Sequence, residues 1–165
     1  NKISILDVGC GYGELLHHIK KNISNVNYTG IDTNELAIKE AKNRFLQKSV
    51  NYHKIFIKNF KSKKKFNLII ANGLFTYKHN VSDKEMYDFL FKILKKFYTL
   101  SSGLIVFNLM SQYVDFKNKN IFYPKLIKIL NFVDKFSKYY IIDTSIKKYE
   151  VFFIIKKKKN FCYPK

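Results

Sequence analysis

The sequence has few cysteines and no long apolar run, and both shortages exclude classes of protein. Its two cysteines, Cys10 and Cys162, lie near opposite ends of the 165 residues and form neither a disulfide framework nor a metal-binding spacing. They fit a reducing cytosol, so we expect a cytoplasmic protein. No apolar run reaches the roughly 18 residues of a membrane helix, so we expect no membrane partner. The sequence opens at Asn1 without a methionine, so we expect a natural N-terminal segment to precede it.

Arginine is almost absent, although the chain is strongly basic. The formal net charge is +19, yet Arg44 is the only arginine. A surface that reads phosphates or bases normally uses arginine, because its guanidinium forms paired hydrogen bonds. The excess of Lys, Asn, Ile, Phe and Tyr is what A/T-rich codons produce. We therefore interpret the lysines as a solvated surface, with a polyanion-binding surface as the alternative.

Strand and helix patterns alternate along the chain. Short apolar runs predict strands at 3–8, 26–31, 51–57, 66–71, 104–109, 139–142 and 151–155. Helical spacing predicts helices after residue 13, at 35–46, from Ser82 with a capping box to Glu85, and from Pro124 to about 136. Residues 58–65 form a basic loop too short for a full helix, and Ser102–Gly103 is predicted as a turn.

This alternation is typical of an α/β protein with a parallel sheet covered on both faces. We expect a single domain over 1–165 with a Rossmann-like, doubly wound sheet of seven strands. In such sheets ligands bind at the carboxyl ends of the strands, where the strand order reverses. The ligand site should therefore lie in the turns that follow the first strands.

The stretch Ile5–Gly13, ILDVGCGYG, contains half of the six glycines. Gly9, Gly11 and Gly13 follow an apolar strand and precede a helix, so the backbone there is open to close approach by a ligand. Asp32 ends the second strand about twenty residues later, where a carboxylate accepts bonds from both hydroxyls of a ribose. The pattern predicts a ligand with an adenosine-type ribose, although Asp32 alone has the alternative role of a helix N-cap.

The glycine spacing distinguishes between nucleotide cofactors. A dinucleotide fingerprint is G-x-G-x-x-G, whereas this chain has G-x-G-x-G with Glu14 where the third glycine belongs. A carboxylate there would repel a pyrophosphate but not a cationic ligand. Asp7, just before the turn, is placed to hold an amino group.

The sequence D-V-G-C-G-Y-G, followed by an acidic residue at the end of the second strand, resembles the class I S-adenosylmethionine-dependent methyltransferases. The resemblance covers essentially the whole chain. Phe66–Gly73 is similar to the fourth-strand motif of that family, and Lys58–Phe60 to its third-strand motif. The family's last two strands form an antiparallel pair at the sheet edge, which suits the closing segments of this chain.

The resemblance implies S-adenosyl-L-methionine as the cofactor and assigns roles to particular residues. Asp7 and the glycine turn would face the methionine part, Asp32 the ribose, and Asn59 the adenine amino group. The complete set of cofactor residues implied in this way is Asp7, Gly9, Cys10, Gly11, Gly13, Asp32, Asn59, Phe60 and Asn72. For Cys10 the side chain is expected to be packed rather than nucleophilic, because no histidine lies near it in sequence.

The sequence contains fewer indications of the residues that bind the methyl acceptor than of those that bind the cofactor. Asn72-Gly73-Leu74-Phe75 stands where an N-P-P-Y motif would indicate methylation of an adenine or glutamine amino group. Tyr113 and Asp115, in the loop after the fifth strand, are candidates to bind or deprotonate an acceptor, and ordinary loop polarity is their alternative. His79 is a third candidate base, with simple exposure as its alternative.

The tail of the chain resembles a bacterial branch of small-molecule methyltransferases. The matching residues are Asn108–Ser111, Tyr113, Asp115, Phe122-Tyr123 and Tyr149-Glu150, whereas an Ala-Asp-Pro and a His-Asp of that branch are absent. The expected function is methyl transfer to an O or N atom of a small metabolite or glycan precursor. An RNA methyltransferase and a non-catalytic relative that binds a nucleoside or a protein are the alternatives.

Overall fold

The computed structural model describes residues 2–45 and 47–157. Its elements, in chain order, are β1 Ile3–Val8, α1 Glu14–Asn22, β2 Val26–Asp32, α2 Glu35–Arg44, β3 Val50–Lys54, β4 Phe66–Ala71, α3 Asp83–Leu100, β5 Ser101–Met110, α4 Leu126–Val133, β6 Tyr140–Asp143 and β7 Glu150–Lys156. Leu46, the predicted end of the second helix, and Cys162 lie outside the described residues.

The seven strands form one sheet in the order β3-β2-β1-β4-β5-β7-β6. The pairs from β3 to β5 are parallel, and β7 runs antiparallel to both β5 and β6. The predicted doubly wound sheet with an antiparallel edge is confirmed. The strand order reverses between β1 and β4, so the loops that follow these two strands flank the crevice in which such sheets bind ligands.

Two hydrophobic cores cover the two faces of the sheet. Leu6 and Val8 of β1 pack in the core that contains the apolar sides of α3 and α4. Ile5, on the opposite face, packs in a second core with Leu16 of α1 and Ile38 of α2. Residues 5–8 of β1 are buried on both faces, so Ile5, Leu6 and Val8 are apolar at successive buried positions, and the buried carboxyl group of Asp7 is the exception.

The start of α3 follows the sequence prediction. Ser82 is the N-cap, its Oγ accepts from the Glu85 N–H at 3.3 Å, and Glu85 Oε2 accepts from the Ser82 N–H at 2.8 Å. The predicted capping box is confirmed. It fixes the end of the loop between β4 and α3, which borders the ligand crevice.

Three predicted boundaries are wrong. Ser102–Gly103 lies within β5 rather than in a turn, at a shift in register where a Cβ on Gly103 would come 2.4 Å from the Asn67 carbonyl oxygen. Glycine there allows close backbone approach rather than a reversal of the chain. The third strand ends at Lys54, because Lys54 pairs with Asp32, the last residue of β2, and beyond it the Ile55 N–H bonds to the Asp32 carbonyl at 2.8 Å. The fourth helix begins at Leu126, not at Pro124.

The connection between β3 and β4 contains no helix, as predicted. Beside it lies a groove of about 690 Å³, whose lining includes Thr29, His53, Asn59 and Phe60. Within residues 2–45 and 47–157, no helix is both long enough and apolar enough to cross a bilayer.

Candidate cofactor and acceptor site

The glycine turn joins β1 to α1 through three left-handed backbone positions. The φ angles of Gly9, Gly11 and Gly13 are +77°, +51° and +81°, a region that side chains with a Cβ disfavour. The N–H groups of Gly9 and Cys10 both donate to the Ile31 carbonyl, at 2.8 and 3.1 Å. The turn is therefore folded back onto the end of β2. Its left-handed φ angles are the reason that glycine is needed at alternate positions.

Asp32 connects this turn to the next one. Its Oδ2 accepts the Gly11 N–H at 2.9 Å, and its Oδ1 accepts the Asn34 N–H at 2.8 Å. The N-cap of α2 is Asn34, whose side chain accepts from Leu36 and Ala37. The alternative role of Asp32 as the N-cap is therefore wrong, and the carboxylate instead lies between the turns after β1 and β2.

Asp7 lies beneath the glycine turn and is buried. The Tyr28 hydroxyl donates to its Oδ2. Burial raises the pKa of Asp7 to about 6, partly offset by the Tyr28 bond, and the nearby Asp32 charge adds to the increase. Asp7 is thus fixed by an internal partner, a neighbour that the sequence did not reveal.

Cys10 has its side chain inside the protein. Its thiol is close enough to Gly30 that a Cβ there would come 2.9 Å from the sulfur. Burial raises the pKa of the thiol, and the charges of Asp7 and Asp32 raise it further. A thiol in this environment is a poor nucleophile, in agreement with the packed side chain expected for Cys10.

Glu14, the first residue of α1, has a partner that sequence reasoning missed. The Arg44 guanidinium lies 2.5 Å from its carboxylate and lowers the pKa of that carboxyl group. The only arginine therefore neutralises the charge that was expected to repel a pyrophosphate. The glycine spacing remains as the feature that distinguishes this turn from a dinucleotide fingerprint. In the sequence, the indication that Arg44 has a specific partner is that it is the single arginine of a lysine-rich chain.

The loop after β4 forms the other wall of the crevice. A Cβ built on Gly9 would lie 3.5 Å from Leu74 Cδ1, so the side chain of Leu74 lies next to the glycine turn. Asn72 is exposed at the end of β4. The Gly73 N–H donates to Asn108 Oδ1 at 2.7 Å, which connects the loop to β5.

Asn59 and Phe60 lie beside β3. Both line the groove beside β3, where the Phe60 ring is 6.4 Å from His53 and 6.2 Å from Phe66. Phe60 belongs to the core, and Asn59 is exposed in a short turn. The same groove is lined by Tyr52, whose hydroxyl would come 2.5 Å from a Cβ built on Gly13 of the glycine turn. A role of Asn59 and Phe60 on the adenine side of the cofactor stays a prediction.

The three acceptor candidates lie in two loops that are paired with each other. Lys78 N–H donates to the Asn120 carbonyl and Phe122 N–H to the Thr76 carbonyl, each at 2.9 Å. His79 is exposed, with its ring 6.2 Å from that of Tyr77 and its φ at +47°. This pairing brings the loop of His79 alongside the loop that contains Tyr113 and Asp115.

Tyr113 and Asp115 differ in what surrounds them. Tyr113 is 79% exposed. Asp115 accepts from the Tyr149 hydroxyl and lies 3.8 Å from Lys148 Nζ. Among residues 2–45 and 47–157 no hydrogen bond joins His79, Tyr113 and Asp115 to one another, so they do not form a hydrogen-bonded catalytic cluster. In the same part of the chain, no group of acidic, histidine and cysteine side chains is arranged to hold a metal ion.

The residues around the turn fit an adenosine-type cofactor. A Cβ built on Gly11 meets nothing within 4 Å, so the outer side of the turn is open to a ligand. Each oxygen of Asp32 accepts one backbone N–H and retains a lone pair for a ribose hydroxyl. The turn thus provides a cradle without side chains beside the carboxyl group of Asp32.

Comparison with solved structures finds the same fold in methyltransferases. Magnesium protoporphyrin IX methyltransferase from Synechocystis PCC 6803 with bound SAH is 11% identical, with a TM-score of 0.73 over 95% of this chain and 75% of that one. The plantazolicin methyltransferase BpumL in complex with SAH is 20% identical, with a TM-score of 0.69 over 94% of this chain and 76% of that one. A search of curated protein sequences returned no match.

A family model described as a methyltransferase domain matches residues 6–96, which is more than half of the chain. The match includes the glycine turn, Asp32 and most of α3. The chain therefore belongs to the methyltransferase domain family, as its resemblance to the class I S-adenosylmethionine-dependent enzymes predicts.

Proposed function

We propose that this protein transfers the methyl group of S-adenosylmethionine to an O or N atom of a small-molecule acceptor. The observation that carries the proposal is the junction of Gly11 and Asp32. It joins an open glycine turn to a carboxylate with free lone pairs at the point where the strand order reverses. Both parts are needed to hold an adenosine-type cofactor.

The structural neighbours support a small or peptide-like acceptor. One acts on magnesium protoporphyrin IX, and BpumL has been solved with a pentazolic desmethylPZN analog. Both have the same sheet as this chain without close sequence identity. The choice between O and N, and between a metabolite and a glycan precursor, is part of the proposal.

When bound, S-adenosylmethionine supplies an electrophilic methyl group on a positively charged sulfur. The chain's own residues orient the cofactor and the acceptor for a direct displacement, in which alignment and exclusion of water provide much of the rate. Asp32 binds the ribose hydroxyls, and the glycine turn contacts the remainder of the cofactor through its backbone. Asp7, held by Tyr28, places a negative charge beneath the turn and favours a cationic ligand.

An acceptor O–H or N–H needs a base only if its proton leaves before or during attack. In the proposal Tyr113 contacts the acceptor, because its side chain is 79% exposed in the loop that follows β5. Asp115 already accepts from Tyr149, so it acts as a base only if that phenol moves or relays the proton. His79 remains a separate candidate on the neighbouring loop.

Isothermal titration calorimetry with the natural full-length chain tests the cofactor. We expect S-adenosylhomocysteine and S-adenosylmethionine to bind and NAD not to bind, because the G-x-G-x-G turn lacks the third glycine of a dinucleotide site. Incubation with labelled S-adenosylmethionine and a metabolite extract should then yield a labelled small molecule. Preferential binding of NAD would refute the cofactor assignment, and binding without any transfer would favour the non-catalytic alternative.

RNA methylation is the second candidate, and the basic loop 58–65 is the observation that favours it. Two of its lysines have different surroundings. Lys65, just before β4, donates to the Thr99 carbonyl at the end of α3. Lys61 instead lines the groove beside β3. The loop runs from the carboxyl end of β3 to the amino end of β4, so only part of it lies near the cofactor crevice.

Binding to structured RNA separates the two candidates. If the lysines are only a solvated surface, binding will be unspecific and will fall steeply with salt, because it depends on counterion release. Base contacts and stacking would instead keep a preference for one sequence or shape at physiological salt. Specific binding that persists there and is lost when Lys58, Lys61, Lys63, Lys64 and Lys65 are changed to glutamine would favour RNA as the substrate.

A further inference from the structure

Asn108 is a buried polar residue in a strand that is otherwise mainly apolar. It is 3% exposed, near the carboxyl end of β5. Its Oδ1 accepts the Gly73 N–H at 2.7 Å, and its Nδ2 donates to Glu150 Oε2 at 2.6 Å. The two partners fix the orientation of the amide, since the Gly73 N–H needs an acceptor and the carboxylate needs a donor.

Glu150 is the first residue of β7 and is almost as buried, with 10% of its side chain exposed. Its second oxygen pairs with Lys147. The preceding residue, Tyr149, has a φ of +67°, and its carbonyl accepts the Ser111 N–H at 2.8 Å. The entry into β7 is therefore held in a disfavoured backbone conformation next to the loop that follows β5.

Gly73 connects this pair to the cofactor side of the crevice. It has a φ of +77°, and the side chain of the next residue, Leu74, lies next to Gly9, since a Cβ built on Gly9 would be 3.5 Å from Leu74 Cδ1. Hydrogen bonds thus run from Glu150 through Asn108 to Gly73, and the residue after Gly73 lies beside the glycine turn. Glu150 lies on β7 and the glycine turn follows β1, and these two strands are not neighbours in the sheet.

We propose that Asn108 and Glu150 are positioning residues, which hold the loop after β4 against the glycine turn so that the turn can bind its cofactor. The inference rests on the proposed function, because it takes the glycine turn as the site for S-adenosylmethionine. Neither residue needs to touch the cofactor. Their effect is transmitted through the Gly73 N–H and the Leu74 side chain.

The burial of these groups supports positioning rather than simple stabilisation. A buried amide and carboxylate lose hydration, and apolar residues of similar volume often stabilise a fold as well or better. A hydrogen bond to one particular backbone N–H, in contrast, fixes the conformation of the loop that carries it. Packing between apolar side chains does not orient one particular backbone group in this way.

Exchanging the two side-chain types tests the proposal. Asn108→Asp places a carboxylate against Glu150, and we expect the affinity for S-adenosylhomocysteine to fall by about tenfold or more. Glu150→Gln alone retains an acceptor for Asn108 and should change the affinity by no more than about threefold. When both substitutions are combined, the new carboxylate on β5 accepts from the Gly73 N–H and from the new amide on β7. Binding by this double variant should return to within about threefold of the natural protein.

Ser137→Ala is the matched structural control. Ser137 is also buried, and its Oγ donates to the Lys156 carbonyl at 2.7 Å, next to the edge strands β6 and β7. We expect this variant to lower the melting temperature and leave the affinity for S-adenosylhomocysteine unchanged. If Asn108→Asp behaves in the same way, the pair is only structural and the inference is wrong.

The double variant keeps the test decisive if Asn108→Asp does not fold. A double variant that folds and binds within about threefold of the natural protein supports the positioning role. A double variant that binds no better than Asn108→Asp, or that folds without binding, overturns it. Failure of the natural chain to bind S-adenosylhomocysteine would instead refute the proposed function itself.

Discussion

Replacing Asp32 with alanine should separate its contribution to the cofactor site from its contribution to stability. The carboxylate accepts two backbone N–H groups, at 2.9 Å from Gly11 and 2.8 Å from Asn34. Its partial exposure lets water replace part of these bonds, so we expect a loss of about 1–2 kcal/mol in the free energy of unfolding. For a chain of this length that corresponds to about 2–8 °C in melting temperature.

The effect of Asp32→Ala on binding should be larger. Ribose hydroxyls donating to a carboxylate contribute about 1.5–3 kcal/mol, so the affinity for S-adenosylhomocysteine should fall about 10–100-fold. Differential scanning fluorimetry measures the first effect and isothermal titration calorimetry the second. Both are measured on the same preparation, with circular dichroism to establish that the fold is intact.

Asp143→Ala provides the matched control. Asp143 also ends a strand, and its Oδ1 accepts the N–H and the hydroxyl of Ser145 at 2.8 and 2.7 Å, at the opposite edge of the sheet. Its loss should lower the melting temperature to a similar extent without changing the affinity. An Asp32→Ala protein that is folded and binds S-adenosylhomocysteine as tightly as the natural chain would remove Asp32 from the site.

Three further substitutions test the turn and the carboxylate beneath it. Gly11→Ala should still fold, with a loss of about 1–2 kcal/mol in the free energy of unfolding because its φ is left-handed. It should lose binding of S-adenosylhomocysteine, because the added Cβ occupies the open side of the turn. An unchanged affinity in calorimetry would contradict the proposal that the cofactor lies against this side of the turn. Gly13→Ala should be destabilised more strongly, since its Cβ would come 2.5 Å from the Tyr52 hydroxyl, and a melting temperature no lower than that of Gly11→Ala would count against this packing. Because the pKa of Asp7 is about 6 in the folded state and near 3.9 when unfolded, its contribution to stability is full below about pH 4 and is lost as the pH rises through 6. Asp7→Asn cannot ionise, so chemical denaturation should show its stability relative to the natural chain rising by about 3 kcal/mol from pH 4 to pH 7.5; a pH-independent difference would refute the buried carboxylate.

The sequence was sufficient for the fold because its signals are local and mutually consistent. The apolar run of β1, the glycine turn and the spacing of α3 each depend on residues close together in the chain. The capping box between Ser82 and Glu85 spans three residues and was predicted for the same reason. The wrong boundaries lie where tertiary contacts override local preference, as at Gly103, which fits against Asn67 within a strand.

The same distinction between local signals and tertiary contacts applies to the candidate site. The glycine turn and Asp32 were predictable, because a fixed spacing of about twenty residues joins them in a parallel sheet of this kind. The partners of these residues were not, since Tyr28 beside Asp7 and Arg44 beside Glu14 come from other elements. Periodicity carries no information about which long side chain reaches which carboxylate.

By itself, the sequence determined the order of strands and helices, the position of the glycine turn and the resemblance to a methyltransferase. Only the tertiary structure decided that Asn59 and Phe60 line a groove beside β3 and that Asn108 connects Gly73 to Glu150. The physical reason is that elements arise from interactions over a few residues, whereas a site joins groups tens of residues apart. Such groups meet only after the sheet has assembled and hydrogen bonding has fixed each buried polar group to its partner.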